Sequence, residues 1–197
     1  MLEIVLATHN RDKVKEIKKL LEGLRIKILS ADDFPYLPEV EENGRTLREN
    51  AIKKAREAAE FTGKIALADD SGLEVEAVNG APGVCSARFA GENCIYSDNN
   101  RKLLRLMKKV PDTKRQATFK CIMALVWPEG KIKTVTGICR GIMARESRGK
   151  HGFGYDPVFI VPRYGKTFAE LGLDIKNKTS HRAKALAKIR RVLKQLG

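Results

Sequence analysis

A chain of 197 residues with 43% hydrophobic and 31% charged side chains is ordinary for a folded soluble protein and long enough for one substantial core, as one domain or one domain with two lobes. Its longest unbroken apolar run, Cys121 to Trp127, is far too short to span a bilayer, and Asn10 and Arg11 interrupt the first apolar segment, so neither a membrane anchor nor a signal peptide is expected. The net charge of +14 is uneven, with 14 Lys and Arg against 18 Asp and Glu in residues 1–100 and 24 against 6 in residues 101–197, which suggests a polyanionic partner, either nucleic acid or a phosphorylated small molecule.

Glu3 to Ala7 is an apolar run of strand length. The next segment has helical period, with Val14, Ile17, Leu20 and Leu21 on one face and Lys15, Lys18, Lys19 and Glu22 on the other. Gly23 ends that helix, and Ile26 to Leu29 reads as a second strand. A turn-rich acidic stretch holds Pro35, Pro38, Glu39, Glu41, Glu42, Asn43 and Gly44. Thr46-Leu47-Arg48-Glu49 is a capping box that opens a helix to about Phe61, with a small-residue face of Ala51, Ile52, Ala55, Ala58 and Ala59. Lys64 to Ala68 predicts a buried strand and Asp69-Asp70-Ser71-Gly72 a turn at its end. Alternation from Leu73 to Ala77 predicts a half-exposed strand.

A loop punctuated by Asn79-Gly80 and Pro82-Gly83 leads to a helix around Asn99 to Lys108. Ala117 to Trp127 and Ile132 to Ile142 flank Pro128-Glu129-Gly130 and predict a hairpin. Gly149, Gly152 and Gly154 mark a loop before a short strand at Val158 to Val161. Ser180 is a plausible N-cap for a last helix whose Ala183, Leu186, Ile189 and Leu193 share a face. Strands and helices alternate early and a hairpin follows, so an α/β fold with a mixed sheet is expected. Cys85, Cys94, Cys121 and Cys139 have neither C-x-x-C nor zinc-ligand spacing and read as reduced, mostly packed thiols of a cytoplasmic protein.

Several groups of residues could carry chemistry. Thr8-His9-Asn10-Arg11-Asp12-Lys13 lies between the first strand and the first helix. N–H groups at a helix start attract phosphate, and Lys13 adds a full charge. The stretch is neither a Walker A loop nor G-x-G-x-x-G, and a plain N-cap with a surface lysine is its alternative. Asp69 and Asp70 stand beyond the carboxyl end of a strand, where ligands bind in open α/β sheets. Paired carboxylates suit a hard divalent cation, and an exposed acidic turn is the plainer reading. Asn50 and Lys54 share a helix face. His151-Gly152-Phe153-Gly154-Tyr155-Asp156-Pro157 sets aromatics between glycines, where a ring can be uncovered for stacking. His181 and Arg182 fall in the first turn of the last helix, at the dipole end that disfavours cations, which suggests a ligand.

The order and separation of these motifs resemble the inosine triphosphate pyrophosphatase family, the house-cleaning enzymes for XTP and dITP. From Leu6 to Ala183 the shared motifs are L-A-T-H-N-x-x-K, E-N-G-x-T-x-x-E-N-A-x-x-K-A, A-D-D-S-G-L-E-V, G-A-P-G-x-x-S-A-R, G-F-G-Y-D-P-V-F and K-x-x-x-S-H-R-A-K-A. The resemblance implies an α/β protein with an elongated mixed sheet and flanking helices, two lobes around a central cleft, one pyrophosphatase domain over residues 1–197, and commonly a homodimer. It implies that Thr8, His9, Asn10, Arg11, Asp12 and Lys13 hold the triphosphate with Lys54. Glu42 and Asp70 would bind magnesium, Asp70 would be the general base, and Ser71 would touch substrate. Phe153, with Gly154 and Tyr155 beside it, would stack on the purine, while Asp156, Lys176, His181 and Arg182 would read its edge. Many members have glycine where this chain has His9, a change that leaves the backbone donors in place.

The implied reaction converts ITP, dITP or XTP to the monophosphate and pyrophosphate. Two other readings compete: a basic nucleic-acid-binding module and a related pyrophosphatase for modified pyrimidines. Against the first, aromatics are only 6% of residues and are not interleaved with the basic ones as stacking platforms would be. Against the second, the G-F-G-Y-D-P and S-H-R motifs argue for purines.

Overall fold

A computed structural model describes residues 1–196. Its strands are β1 (Leu2–Leu6), β2 (Ile26–Ser30), β3 (Ile65–Val75), β4 (Gln116–Val126), β5 (Ile132–Met143), β6 (Phe159–Val161) and β7 (Lys166–Thr167). Its helices are α1 (Arg11–Leu21), α2 (Leu47–Thr62), α3 (Tyr96–Leu106), α4 (Phe168–Thr179) and α5 (His181–Lys194). The seven strands lie in the order β2-β1-β3-β4-β5-β6-β7. β1 runs parallel to β2 and to β3, whereas β6 is antiparallel to β5 and to β7. The sheet is therefore mixed, and the expected α/β class holds.

The chain divides into two compact units, residues 1–70, 121–137 and 182–197, and residues 71–120 and 138–181. In the first, one core gathers Ile17 and Leu21 of α1, Leu186 and Ile189 of α5, and Ile4, Leu6 and Leu67 of the strands. The alanine face of α2 (Ala51, Ala55, Ala58, Ala59) forms another with Val5, Ala66, Ala124 and Val126. Side chains this small let the helix approach the sheet closely. The capping box at Thr46 and Glu49 is present in both directions, with Glu49 N–H donating to Thr46 Oγ1 at 3.1 Å and Thr46 N–H to Glu49 Oε2 at 3.2 Å. Its end is fixed by Gly63 at φ 62°, a left-handed cap.

The second unit packs Leu73, Leu103, Met107, Phe119, Phe159 and Phe168 together. Arg115 is buried there, and its guanidinium donates to the carbonyls of Met143 (2.8 Å), Met107 (2.8 Å), Val110 (3.2 Å) and Ala144 (2.6 Å). One side chain thus ties the end of α3 to the end of β5.

Three expectations need correction. Asp69 to Gly72 is no turn: β3 runs unbroken through it, because the strand ladder overrides the turn-like composition. Nor is the segment exposed, since Asp69 and Asp70 are 0% and 5% accessible. The segment before the last helix contains β7 and α4, neither of which the periodicity suggested, and Gly172 at φ 76° breaks α4 and its hydrophobic period. Among the described residues none of the four thiols forms a disulfide, and they are not mostly packed: Cys121 and Cys139 are buried, but Cys85 is exposed and Cys94 half-buried.

Candidate functional site

In the first unit, charged side chains from four elements meet around Asp69 and Asp70. Side chains of strand neighbours point to opposite faces, and the two carboxylates have different partners. Asp69 Oδ2 accepts from Arg182 Nη2 at 3.1 Å and lies 3.3 Å from Lys13 Nζ. Arg182 Nη1 also donates to Glu16 Oε2 of α1 at 2.7 Å. Burial works against the Arg182 charge, but Asp69 and Glu16 outweigh it and hold the guanidinium protonated. Sequence placed Arg182 among residues that read a base; in this structure its guanidinium is buried on two carboxylates.

Asp70 Oδ2 accepts from Asn50 Nδ2 of α2 at 3.0 Å. One turn along, Lys54 Nζ donates to the Asp69 carbonyl at 2.8 Å and to Glu42 Oε1. Burial pushes the Asp70 carboxyl above its ordinary value, Lys54 opposes that rise and the charge of Glu42 adds to it. Burial also opposes the Lys54 charge, yet Glu42, Asp70 and Asp69 together raise its pKa. The loop before α2 is held as well, since Lys53 Nζ donates to the Glu41 carbonyl at 2.9 Å and to Asn43 Oδ1 at 3.1 Å.

The stretch Thr8 to Lys13 begins α1. Asn10 Oδ1 accepts from the N–H groups of Asp12 and Lys13, both at 3.1 Å, and Thr8 Oγ1 accepts from Asn10 N–H at 3.2 Å. Two of the N–H groups expected to face phosphate are therefore capped by the protein's own asparagine. His9 Nδ1 lies 3.5 Å from Asp32 Oδ1 in an exposed pair. Arg11 is exposed, Asp12 half-buried, and Ser71 half-buried on β3 directly after Asp70.

In the second unit, the Gly152–Asp156 loop and α4 form another arrangement. Buried Asp156 Oδ2 accepts from Phe153 N–H at 2.9 Å and from Lys176 Nζ at 2.5 Å. The same ammonium lies 4.2 Å from the centroid of the half-buried Phe153 ring. Gly152 sits at φ 78°, and a Cβ there would overlap Asp156 Oδ2, so only glycine brings the backbone this close to the carboxylate. Gly154 C=O accepts from Asn100 Nδ2 at 3.0 Å. Phe153 and Tyr96 also line a cavity of about 490 Å³ with Asn100, Gly149, Gly152 and Pro157. Tyr155 lies in the core, and its hydroxyl donates to the Ser86 carbonyl at 2.9 Å, so it anchors the loop from beneath. His181 is buried and stacked on Phe119, with ring centroids 4.5 Å apart and planes 10° from parallel.

Sequence reasoning missed Glu16, Phe119, Ser86 and Asn100. Glu16 and Phe119 act on Arg182 and His181 from distant positions in the chain, and no local period or motif announces such partners. Asn100 sits inside the segment read as a helix, and its burial there and its bond to the Gly154 carbonyl come from tertiary packing that no sequence pattern announces.

The model of the Ham1 family matches residues 4–192. A dITP/XTP pyrophosphatase of Desulforamulus reducens is 53% identical over 195 residues, covering 99% of this chain and 97% of that protein. One of Geobacter sulfurreducens is 51% identical, covering 95% of this chain and 94% of its own. Among solved structures, a HAM1 protein from Coxiella burnetii superposes with a TM-score of 0.91 at 46% identity, covering 99% of this chain and all of that one. Matched along nearly its whole length in both sequence and fold, this chain belongs to the Ham1 family.

Proposed function

We propose that this protein hydrolyses the non-standard purine nucleoside triphosphates ITP, dITP and XTP to the monophosphate and pyrophosphate, and so removes deaminated purines from the nucleotide pool. The observation that carries the reading is the buried Asp70 carboxylate, held by Asn50 in a group with Glu42 and Lys54. Relatives half-identical to this chain are named for the same reaction.

The chemistry assigned to the first group is attack of water on the α-phosphorus. Asp70 takes the proton from the water as its oxygen bonds to phosphorus, the bond to the bridging oxygen breaks, and pyrophosphate leaves. A carboxylate whose pKa is raised by burial is a better base than an ordinary one. Lys13 and Lys54 stabilise the charge that develops on the leaving group. Glu42 and Asp70 would also hold magnesium. They offer hard oxygen donors, and Glu42 raises the Asp70 pKa, so a second cation beside Lys54 would relieve like-charge repulsion. When bound, that ion would neutralise phosphate charge and orient the water.

Base recognition is assigned to the second group. Phe153 offers a ring for stacking, Lys176 a donor-only ammonium fixed by Asp156, and His181 a ring held flat on Phe119. Hypoxanthine and xanthine carry an acceptor oxygen at C6, where adenine carries an amino donor. A donor facing that amino group costs about 1–3 kcal/mol, or roughly 5- to 150-fold in rate. Among the described residues no helix is long and apolar enough to cross a membrane. A cytoplasmic homodimer goes with this reading.

The test is a panel of ITP, XTP, ATP, GTP and CTP at equal concentration with product identification. ITP and XTP should be turned over far faster than the others and yield monophosphate and pyrophosphate. Equal rates on ATP and ITP would refute the purine-editing reading, and release of single phosphates would mean attack at a different phosphorus. Turnover should stop with EDTA and return with magnesium, with calcium supporting binding better than turnover. Full activity in excess chelator would remove metal from the reaction.

A further inference from the structure

We infer that Asn50 is a positioning residue for the Asp70 base, using the two ends of one amide to fix the carboxylate and the loop that carries Glu42. The inference rests on the reading of Asp70 as the base. Asn50 is buried on the fourth residue of α2, and its two bonds run in opposite senses. Its Nδ2 donates to Asp70 Oδ2 at 3.0 Å, while its Oδ1 accepts from Gly44 N–H at 2.8 Å. A carboxylate can only accept and a backbone N–H can only donate, so these partners leave one orientation for the amide.

The fit on the loop side is close. A Cβ at Gly44 would stand 2.5 Å from Asn50 Oδ1, so the loop reaches the amide only because that residue is glycine. Glu42, two residues earlier, is tied to Lys54, which lies one helical turn beyond Asn50 on the same face of α2. The capping box at Thr46 and Glu49 fixes the first turn of that helix, so the register of Asn50 is set by bonds within its own turn as well as by its long-range partners. One helix face thereby holds both candidate metal carboxylates. With Oδ2 of Asp70 taken by the amide, rotation of the carboxylate about its own axis is stopped, and the lone pairs that receive the proton point one way.

Asn50→Asp is the discriminating substitution. It keeps the shape and the acceptor for Gly44 N–H, but replaces the donor to Asp70 by a second carboxylate oxygen. Displacement of a catalytic group by about 1 Å costs on the order of 10²-fold, so kcat for ITP should fall by about that factor while KM stays within about twofold. In the Asp70→Asn background the same change should lower kcat no further, since the group it orients is already gone. Asp70→Asn is measured alongside. If that variant is inactive while Asn50→Asp keeps wild-type kcat, or if Asn50→Asp raises KM instead, the positioning role is overturned and the base stands. If Asp70→Asn itself keeps near-normal turnover, the base reading falls and the positioning role with it. An additive loss in the double variant would assign Asn50 to the general integrity of the fold and overturn the inference. Should Asn50→Asp fail to fold, Gly44→Ala, which pushes on the same amide oxygen, must show the same loss of kcat at unchanged KM, and normal kcat there overturns it as well.

Discussion

Asp69 and Asp70 are chemically identical neighbours that the fold puts to opposite uses. Asp69 serves as counter-charge for Arg182 and Lys13 and is fully buried. Removing one member of such a group leaves a buried cation short of compensation, which costs about 3–5 kcal/mol for a fully isolated pair. Glu16 remains on Arg182, so Asp69→Asn should lower the free energy of unfolding by about 3 kcal/mol in urea titrations. Asp70→Asn should do the reverse. Its carboxyl is raised on folding, so the native state binds more protons than the unfolded chain, and stability falls as pH rises through the window above 3.8. A neutral isostere escapes that penalty, so its melting temperature at pH 7 should equal or exceed that of the wild type. Its kcat should nevertheless drop at least ~10²-fold. A destabilised Asp70→Asn or a fully stable Asp69→Asn would reverse the two assignments. The sequence supported a choice of Asp70 only through family resemblance. Arg182 and Glu16 lie 166 residues apart, so their pairing, and what it does to Asp69, was not legible locally.

At the scale of elements, legibility followed how local the determinants are. The start of α2 was readable because its capping box is satisfied within four residues, and the faces of α1 and α5 because 3.6-residue periodicity is itself local. β3 was misread because Asp-Asp-Ser-Gly is turn-like in composition, whereas its backbone is held by neighbouring strands that no local rule can see. α4 was missed because Gly172 interrupts it. The Gly152 loop yields a prediction of its own. Gly152→Ala would force a strained left-handed backbone and drive a methyl into Asp156, which holds both Phe153 N–H and Lys176. Loss of a charge-assisted bond of about 1.5–3 kcal/mol should lower kcat/KM for ITP by roughly 10- to 150-fold and narrow the ITP/ATP ratio. Unchanged selectivity would remove this loop from base recognition.

The strand end of the first unit offers a pH test. Glu3 of β1 accepts from Lys64 at 2.6 Å and from Lys27, its register partner on β2, at 2.9 Å. The Lys64 bond, followed by that of Lys27, lowers its pKa from an ordinary 4.5 to about 2. A depressed acid contributes stability that is complete above the unfolded value and is lost as pH falls through the folded one. Acid unfolding of Glu3→Gln should therefore show a shallower dependence than the wild type between pH 4.5 and about 2. Identical slopes would mean that the two lysines do not hold Glu3 in solution.

Over the whole molecule, the basic excess has two destinations, and only one of them is available to a ligand. Arg182 and Lys176 are buried against carboxylates that cancel much of their charge at a distance, whereas Arg115 is buried on neutral carbonyls, which satisfy its hydrogen bonds but leave its charge uncompensated. Lys188 and Arg190 of α5 likewise reach carbonyls, at Thr136 and Leu20. The overall charge of +14 nonetheless remains, and such a field raises the local concentration of polyanions without needing a specific contact. A triphosphate should gain from this in the encounter and not in the chemical step, because the assigned base Asp70 and the neighbouring Lys54 are buried, where salt screens little. Raising ionic strength from about 0.05 to about 0.3 M should therefore increase KM for ITP several-fold and leave kcat within about twofold. A nucleic-acid-binding module would behave differently: neutralising six or more phosphates would make duplex affinity collapse by about 10³-fold or more over a similar span. Steep loss of duplex binding with a KM for ITP that ignores salt would transfer the basic excess from substrate capture to nucleic acid. A fall in kcat at saturating ITP would instead show that screened, surface charges take part in the reaction, contrary to the buried arrangement around Asp70.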